Sequence, residues 1–134
     1  MPSFLLENSV TGPGIRADMG AENFATTIVA LNSYQLSTDS IAIVGTGQQQ
    51  RVTVQGYVAS VGTAIGLTEA ASIVSITATG IVAGLMSDLE AAVRMSGGQS
   101  RIINAGEISG GVGVALIESG DILNSGTITG MGTA

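Results

Sequence analysis

The chain has no cysteine, no histidine, no lysine and no tryptophan. Without cysteine there is no disulfide framework and no thiol chemistry. With histidine missing as well, the standard zinc, copper and haem ligand sets are gone, so no cofactor is expected. Aromatic residues are 3% of the chain, namely Phe4, Phe24, Tyr34 and Tyr57. A core of large rings is therefore excluded. Charged residues reach 10%, far below the usual quarter. The four cations, Arg16, Arg51, Arg94 and Arg101, leave a net charge of −6. No basic stripe exists to displace phosphate counterions, so nucleic acid is not an expected partner. An anionic membrane surface would repel the chain. No apolar run approaches the roughly 18 residues of a membrane span, so no insertion is expected. The start, Met1-Pro2-Ser3-Phe4-Leu5-Leu6-Glu7-Asn8, shows neither a basic leader nor a long apolar stretch, so no cleavable signal is visible.

What is present is 45% hydrophobic residues, mostly small or β-branched, and 20 glycines. Disorder is excluded by that patterned apolar content. Four segments are variants of one phrase. Arg101-Ile102-Ile103-Asn104-Ala105-Gly106-Glu107-Ile108-Ser109-Gly110 and Asp121-Ile122-Leu123-Asn124-Ser125-Gly126-Thr127-Ile128-Thr129-Gly130 match almost residue for residue. Laid over them without gaps, Ser75 to Gly84 keeps both glycines, and Arg51 to Ser60 keeps the first. A fainter copy, Ala30 to Ser37, has Tyr34 in the glycine column. Tyr34, Gly56, Gly80, Gly106 and Gly126 thus recur about every 20 to 26 residues, the period of one β-solenoid coil.

Within the phrase, apolar residues alternate, which means strand. Ile102, Ile108, Ile122, Ile128, Val58 and Val82 are expected to point inward in stacked columns. The glycine marks a bend that needs either a positive φ or a close backbone approach. A second alternating stretch follows in each coil: Ile41 to Val44, Ala64 to Leu67, Ala92 to Met95, and Val114 to Ile117. Turn clusters such as Gly45 to Gln50, Ser96 to Ser100 and Glu118 to Asp121 separate the coils. Ser87 to Met95 opens on a Ser-x-x-Glu capping box and could be a short helix. Treating Met86 to Leu89 as an insertion restores the strand register, and that reading is preferred. Residues 1–26, with Pro13 and glycines at 12, 14 and 20, form an irregular or degenerate first coil or cap, and residues 27–134 form the coils. Asn104 and Asn124 share one repeat position, with Asn32 there in the faint copy. A ladder of stacked side-chain amides is the expected outcome, a polar binding strip the alternative.

The phrase Ile-x-Asn-x-Gly-x-Ile-x-Gly, followed by a Gly/Ala/Val-rich stretch, resembles the repeats of bacterial parallel β-helix proteins. It is most similar to autotransporter passenger domains, haemagglutinin-like adhesins and repetitive exoproteins, over roughly residues 27–134. The repeats and the resemblance together give the expected fold: all-β, a single-domain parallel β-helix of about five coils, roughly 24 Å long. The resemblance and the usual crossover rule make it right-handed. The resemblance also implies an extracellular or cell-surface location. The Gly-Gly-x-Gly-x-Asp calcium nonapeptide of some β-helices is missing, so no calcium site is carried over.

Chemistry is sparse. A glycan-active enzyme on this scaffold would need carboxylates clustered on one outer face. Arg101 and Asp121 align one coil apart and read as a surface ion pair worth at most about 1 kcal/mol. Glu107 stands between Ile81 and Thr127, Glu118 and Asp121 flank a turn, and Asp88 and Glu90 belong to the insertion. An ice-binding threonine column over Thr53, Thr77 and Thr127 is broken by Ile103. Gly110-Gly111-Val112-Gly113 has no lysine and no helix behind it to cradle a phosphate. No catalytic residue is expected. Function is expected to lie in shape: a structural, self-associating module whose partner is itself. Its ends are Phe4, Leu5 and Leu6 on one side and Ile122, Ile128 and Thr129 on the other, with no charged residue after Asp121. The alternative is a carbohydrate-contacting adhesin or glycan-active domain, with surface polysaccharide as partner.

Overall fold

The computed structural model describes residues 3–39, 41–85 and 91–130. Period-two alternation recurring at a fixed interval gives short strands that return to the same wall on every turn. Three parallel sheets result. The first stacks β1 (Ser3–Leu6), β4 (Thr26–Val29), β7 (Arg51–Val54), β10 (Ile73–Ile76), β13 (Ser100–Asn104) and β16 (Gly120–Asn124). The second stacks β2 (Val10–Gly12), β5 (Tyr34–Ser37), β8 (Tyr57–Ser60), β11 (Ile81–Gly84), β14 (Glu107–Gly110) and β17 (Thr127–Gly130). The third stacks β3 (Ala17–Asp18), β6 (Ile43–Gly45), β9 (Ile65–Leu67), β12 (Ala91–Met95) and β15 (Val112–Leu116). Successive strands along the chain visit the three walls in turn, so the fold is an all-β parallel solenoid of about five turns. Ala91–Met95 is a strand, as the insertion reading requires; Met86 to Glu90 lie outside the described residues.

The core is a set of straight columns. One runs Phe4, Thr27, Val52, Val74, Ile102, Ile122, and the next inward column runs Leu6, Val29, Val54, Ile76, Asn104, Asn124. On the second wall Val10, Gln35, Val58, Val82, Ile108 and Ile128 line up. Val58, Val82, Ile102 and Ile108 are fully buried, and Ile128 packs half-buried against them. Ile122 departs from expectation. Its parity is inward, yet it is 45% exposed, because among the described residues no coil lies beyond β16.

The corner between the first two walls explains the glycines. Gly56, Gly80, Gly106 and Gly126 all have negative or extended φ, so close approach is what selects them. A Cβ on Gly56 would strike the Ser33 and Ala30 carbonyls; on Gly106, those of Gly80 and Thr77; on Gly126, that of Gly106. Those carbonyls are busy: Tyr57 N–H donates to Ser33 O at 2.8 Å, Glu107 N–H to Gly80 O at 3.0 Å, and Thr127 N–H to Gly106 O at 2.9 Å. The corner between the third and first walls uses a left-handed residue instead. Phe24, Gln49, Ala71 and Gln99 sit there at φ 64°, 54°, 60° and 57°. Stacked backbone bonds hold that strained conformation, from Gln49 N–H to Ala70 O and from Ala71 N–H to Gly98 O, both 2.9 Å.

The gapless register fails in the earlier coils. Tyr34 pairs with Tyr57, and Ile73, not Ser75, pairs with Arg51. The bends at 30–33 and 77–80 hold four residues, whereas those at 55–56, 105–106 and 125–126 hold two. Ser33 therefore occupies the glycine column that an ungapped overlay assigns to Tyr34.

Candidate functional site

Asn104 closes β13 just before the two-residue bend. A short side chain with both donor and acceptor can serve its own turn and the next coil together. Its Oδ1 accepts the Gly106 N–H at 3.1 Å, while its Nδ2 donates to Asn124 Oδ1 at 2.8 Å and to Thr127 O at 3.1 Å. The residue is fully buried. Asn124 repeats the turn contact, its Oδ1 accepting Gly126 N–H at 3.2 Å. It is exposed, and its Nδ2 has no partner among the described residues. In earlier coils this inward column is apolar, held by Leu6, Val29, Val54 and Ile76.

Asn32 does not belong to the ladder, which is a correction to the sequence alignment. It lies three positions past the column residue Val29, on the exposed four-residue bend, with φ 66°. Two of those three positions come from the longer bend and the third from setting Tyr34, not Ser33, in the glycine column. For the pair that does stack, Asn104→Leu is expected to cost about 1–3 kcal/mol, since it strands the Gly106 N–H and two acceptors of the next coil. Urea denaturation checks this, and an unchanged midpoint would reduce the asparagine to a turn-former.

The residues assigned to the ends divide by parity. Phe4 and Leu6 on β1, with Ile128 on β17, pack half-buried against the core, and Ile122 shares their inward direction. Leu5 and Thr129 lie at the alternate positions and face outside, Leu5 being 59% exposed. A charge at Leu5 would therefore sit on the outer wall, not in an end-to-end junction.

The titratable groups stay scattered. Arg101 Nη2 lies 3.5 Å from Asp121 Oδ2, with both side chains largely exposed, so the pair contributes little to stability. Glu107 pairs in register with Ile81 and Thr127. No three His, Cys, Asp or Glu side chains among the described residues are grouped to hold a metal ion. Asp88 and Glu90 lie outside the described residues.

Sequence reasoning missed one constellation. Tyr34 and Tyr57 stack across adjacent coils, ring centroids 4.9 Å apart and planes 15° from parallel. Sliding the faint copy by one residue, so that Ser33 takes the glycine column, would have aligned them. Burial raises the Tyr57 hydroxyl above its ordinary pKa, with Tyr34 and Glu107 adding electrostatic repulsion to its ionised form. The rings stand beside a notch of about 440 Å³ lined by Leu31, Asn32, Gln55, Thr79 and Ile81 among others.

No protein-family model matches the chain, and no curated protein and no solved structure matches it. The geometry carries the classification by itself: the chain is a parallel β-solenoid repeat protein.

Proposed function

We propose that this chain is a structural, self-associating β-solenoid module that stacks head to tail on further copies of itself. The observation that supports this most is the open Asn124 amide. Asn104 spends its Nδ2 on the coil above it, and Asn124 offers the same donor at the edge strand of its sheet. In a head-to-tail stack, β1 of the next copy lies on β16, placing Phe4 over Ile122 and Leu6 over Asn124. The next copy's β2 then lies on β17, and its Ser9 carbonyl stands where Thr127 O stands for Asn104. The stack covers Ile122 and Ile128 and pairs exposed strand edges, the common hazard and the common device of open sheets. The repeat phrase supports an exported module of autotransporter or haemagglutinin-like type, located at the cell surface or outside it.

Light scattering across a chromatographic run tests this. The mass should rise with concentration through the micromolar range, and Ile122→Lys should hold the chain monomeric with its circular dichroism unchanged. A clean monomer at high micromolar concentration would overturn self-association.

A further inference from the structure

The unequal bends have a consequence outside the core. The four-residue bends at 30–33 and 77–80 stand as ridges, and the two-residue bend at Gln55-Gly56 between them is a recess. Into it face Leu31, Tyr34, Tyr57 and Ile81 as an apolar wall, with Asn32, Gln55 and Thr79 on the rim. Leu31 is 55% exposed and Tyr34 36%, so the wall is open to a ligand. Thr79 is occupied, its hydroxyl donating to Gln55 O at 2.8 Å. The carboxamides of Asn32 and Gln55 and both phenol hydroxyls make no hydrogen bond among the described residues.

We propose that this notch binds a neutral carbohydrate, one or two pyranose units of a glycan. A sugar ring presents apolar C–H faces to a hydrophobic and aromatic wall, and a rim of hydroxyls that both donate and accept. Carboxamides are the side chains that answer both demands at once. The volume of about 440 Å³ lies within the range of small-ligand sites. No cation lines the notch and the chain is strongly acidic, which disfavours anionic glycans and phosphates. The ridges close the recess at both sides, which disfavours an extended peptide threading through it.

The chain supplies its own reporter. Tyr34 and Tyr57 are its two tyrosines and it has no tryptophan, so tyrosine emission, excited at wavelengths too long for its two phenylalanines, arises at this notch alone. The titration uses the full chain in an Ile122→Lys background, which keeps the outcome separate from self-association. The probes are cellohexaose, mannohexaose, xylohexaose and maltohexaose, with polygalacturonate and decaproline as controls. A saturable emission change is expected with at least one neutral oligosaccharide. Asn32→Gly with Gln55→Ala should weaken it by about tenfold or more, or roughly 1.4 kcal/mol. Glycine keeps the left-handed φ of residue 32, so the fold should be unaffected and thermal unfolding should show it. No saturation with any neutral oligosaccharide, unchanged affinity in the double variant, or saturation by polygalacturonate or decaproline alone would each overturn the assignment.

Discussion

Ile108→Ala is expected to lose about 2–5 kcal/mol of stability, read from urea or thermal unfolding. Ile108 is fully buried, with Val82 below it and Ile128 above it in one column of the core. Solenoid coils touch just their neighbours, so the surrounding columns cannot collapse far into the space left behind. The matched control is Ile122→Ala. Ile122 copies the position of Ile102 one coil later, but it is 45% exposed and should lose less than about 1 kcal/mol in the monomer. Equal losses at the two sites would mean that the end of the solenoid is covered.

The second large effect is expected at a glycine. Gly106→Ala should destabilise by about 3 kcal/mol, the upper end for overpacking, because its Cβ would meet the Gly80 and Thr77 carbonyls. Backbone cannot swing aside as a flexible side chain can, and the Gly80 carbonyl already accepts Glu107 N–H. Gly66→Ala provides the contrast. Its added methyl would find Ile41 carbons at 3.6 and 3.8 Å, ordinary packing distances, and the change should stay within about 1 kcal/mol. Similar midpoints for the two alanine variants would argue against backbone stacking at the corner.

These two sites also show what the sequence discloses. The period, the strand alternation and the glycine column were legible because each repeats a physical demand at every turn: a buried face, or a place too narrow for Cβ. The columns of Ile102 and Ile108 follow directly. Asn32 was misaligned by three positions, two because bends tolerate extra residues at little cost and one because the faint copy, having Ser33 where the other coils have glycine, was anchored on Tyr34. The left-handed corner at Phe24, Gln49, Ala71 and Gln99 was hidden for another reason. Glycine is the usual sign of that conformation, and here phenylalanine, alanine and two glutamines adopt it under the constraint of neighbouring coils. The tyrosine pair was hidden by that one-residue slip, and the notch beside it became visible only in three dimensions, since it depends on bends of unequal length.

Covalent trapping of the junction tests head-to-tail stacking most directly. The chain has no cysteine, so introduced thiols are its only ones. Ser3 and Asp121 are the first and last members of one outward column, and in the stack they become neighbours across the boundary. Paired parallel strands place such positions about 4.8 Å apart, within reach of a disulfide. Within one chain they are about five coils apart, far too distant to bridge. Under mild oxidation Ser3→Cys/Asp121→Cys should give a ladder of covalent oligomers on a denaturing gel, while each single variant stays monomeric. No ladder from the double variant, or dimers from either single variant, would contradict head-to-tail stacking.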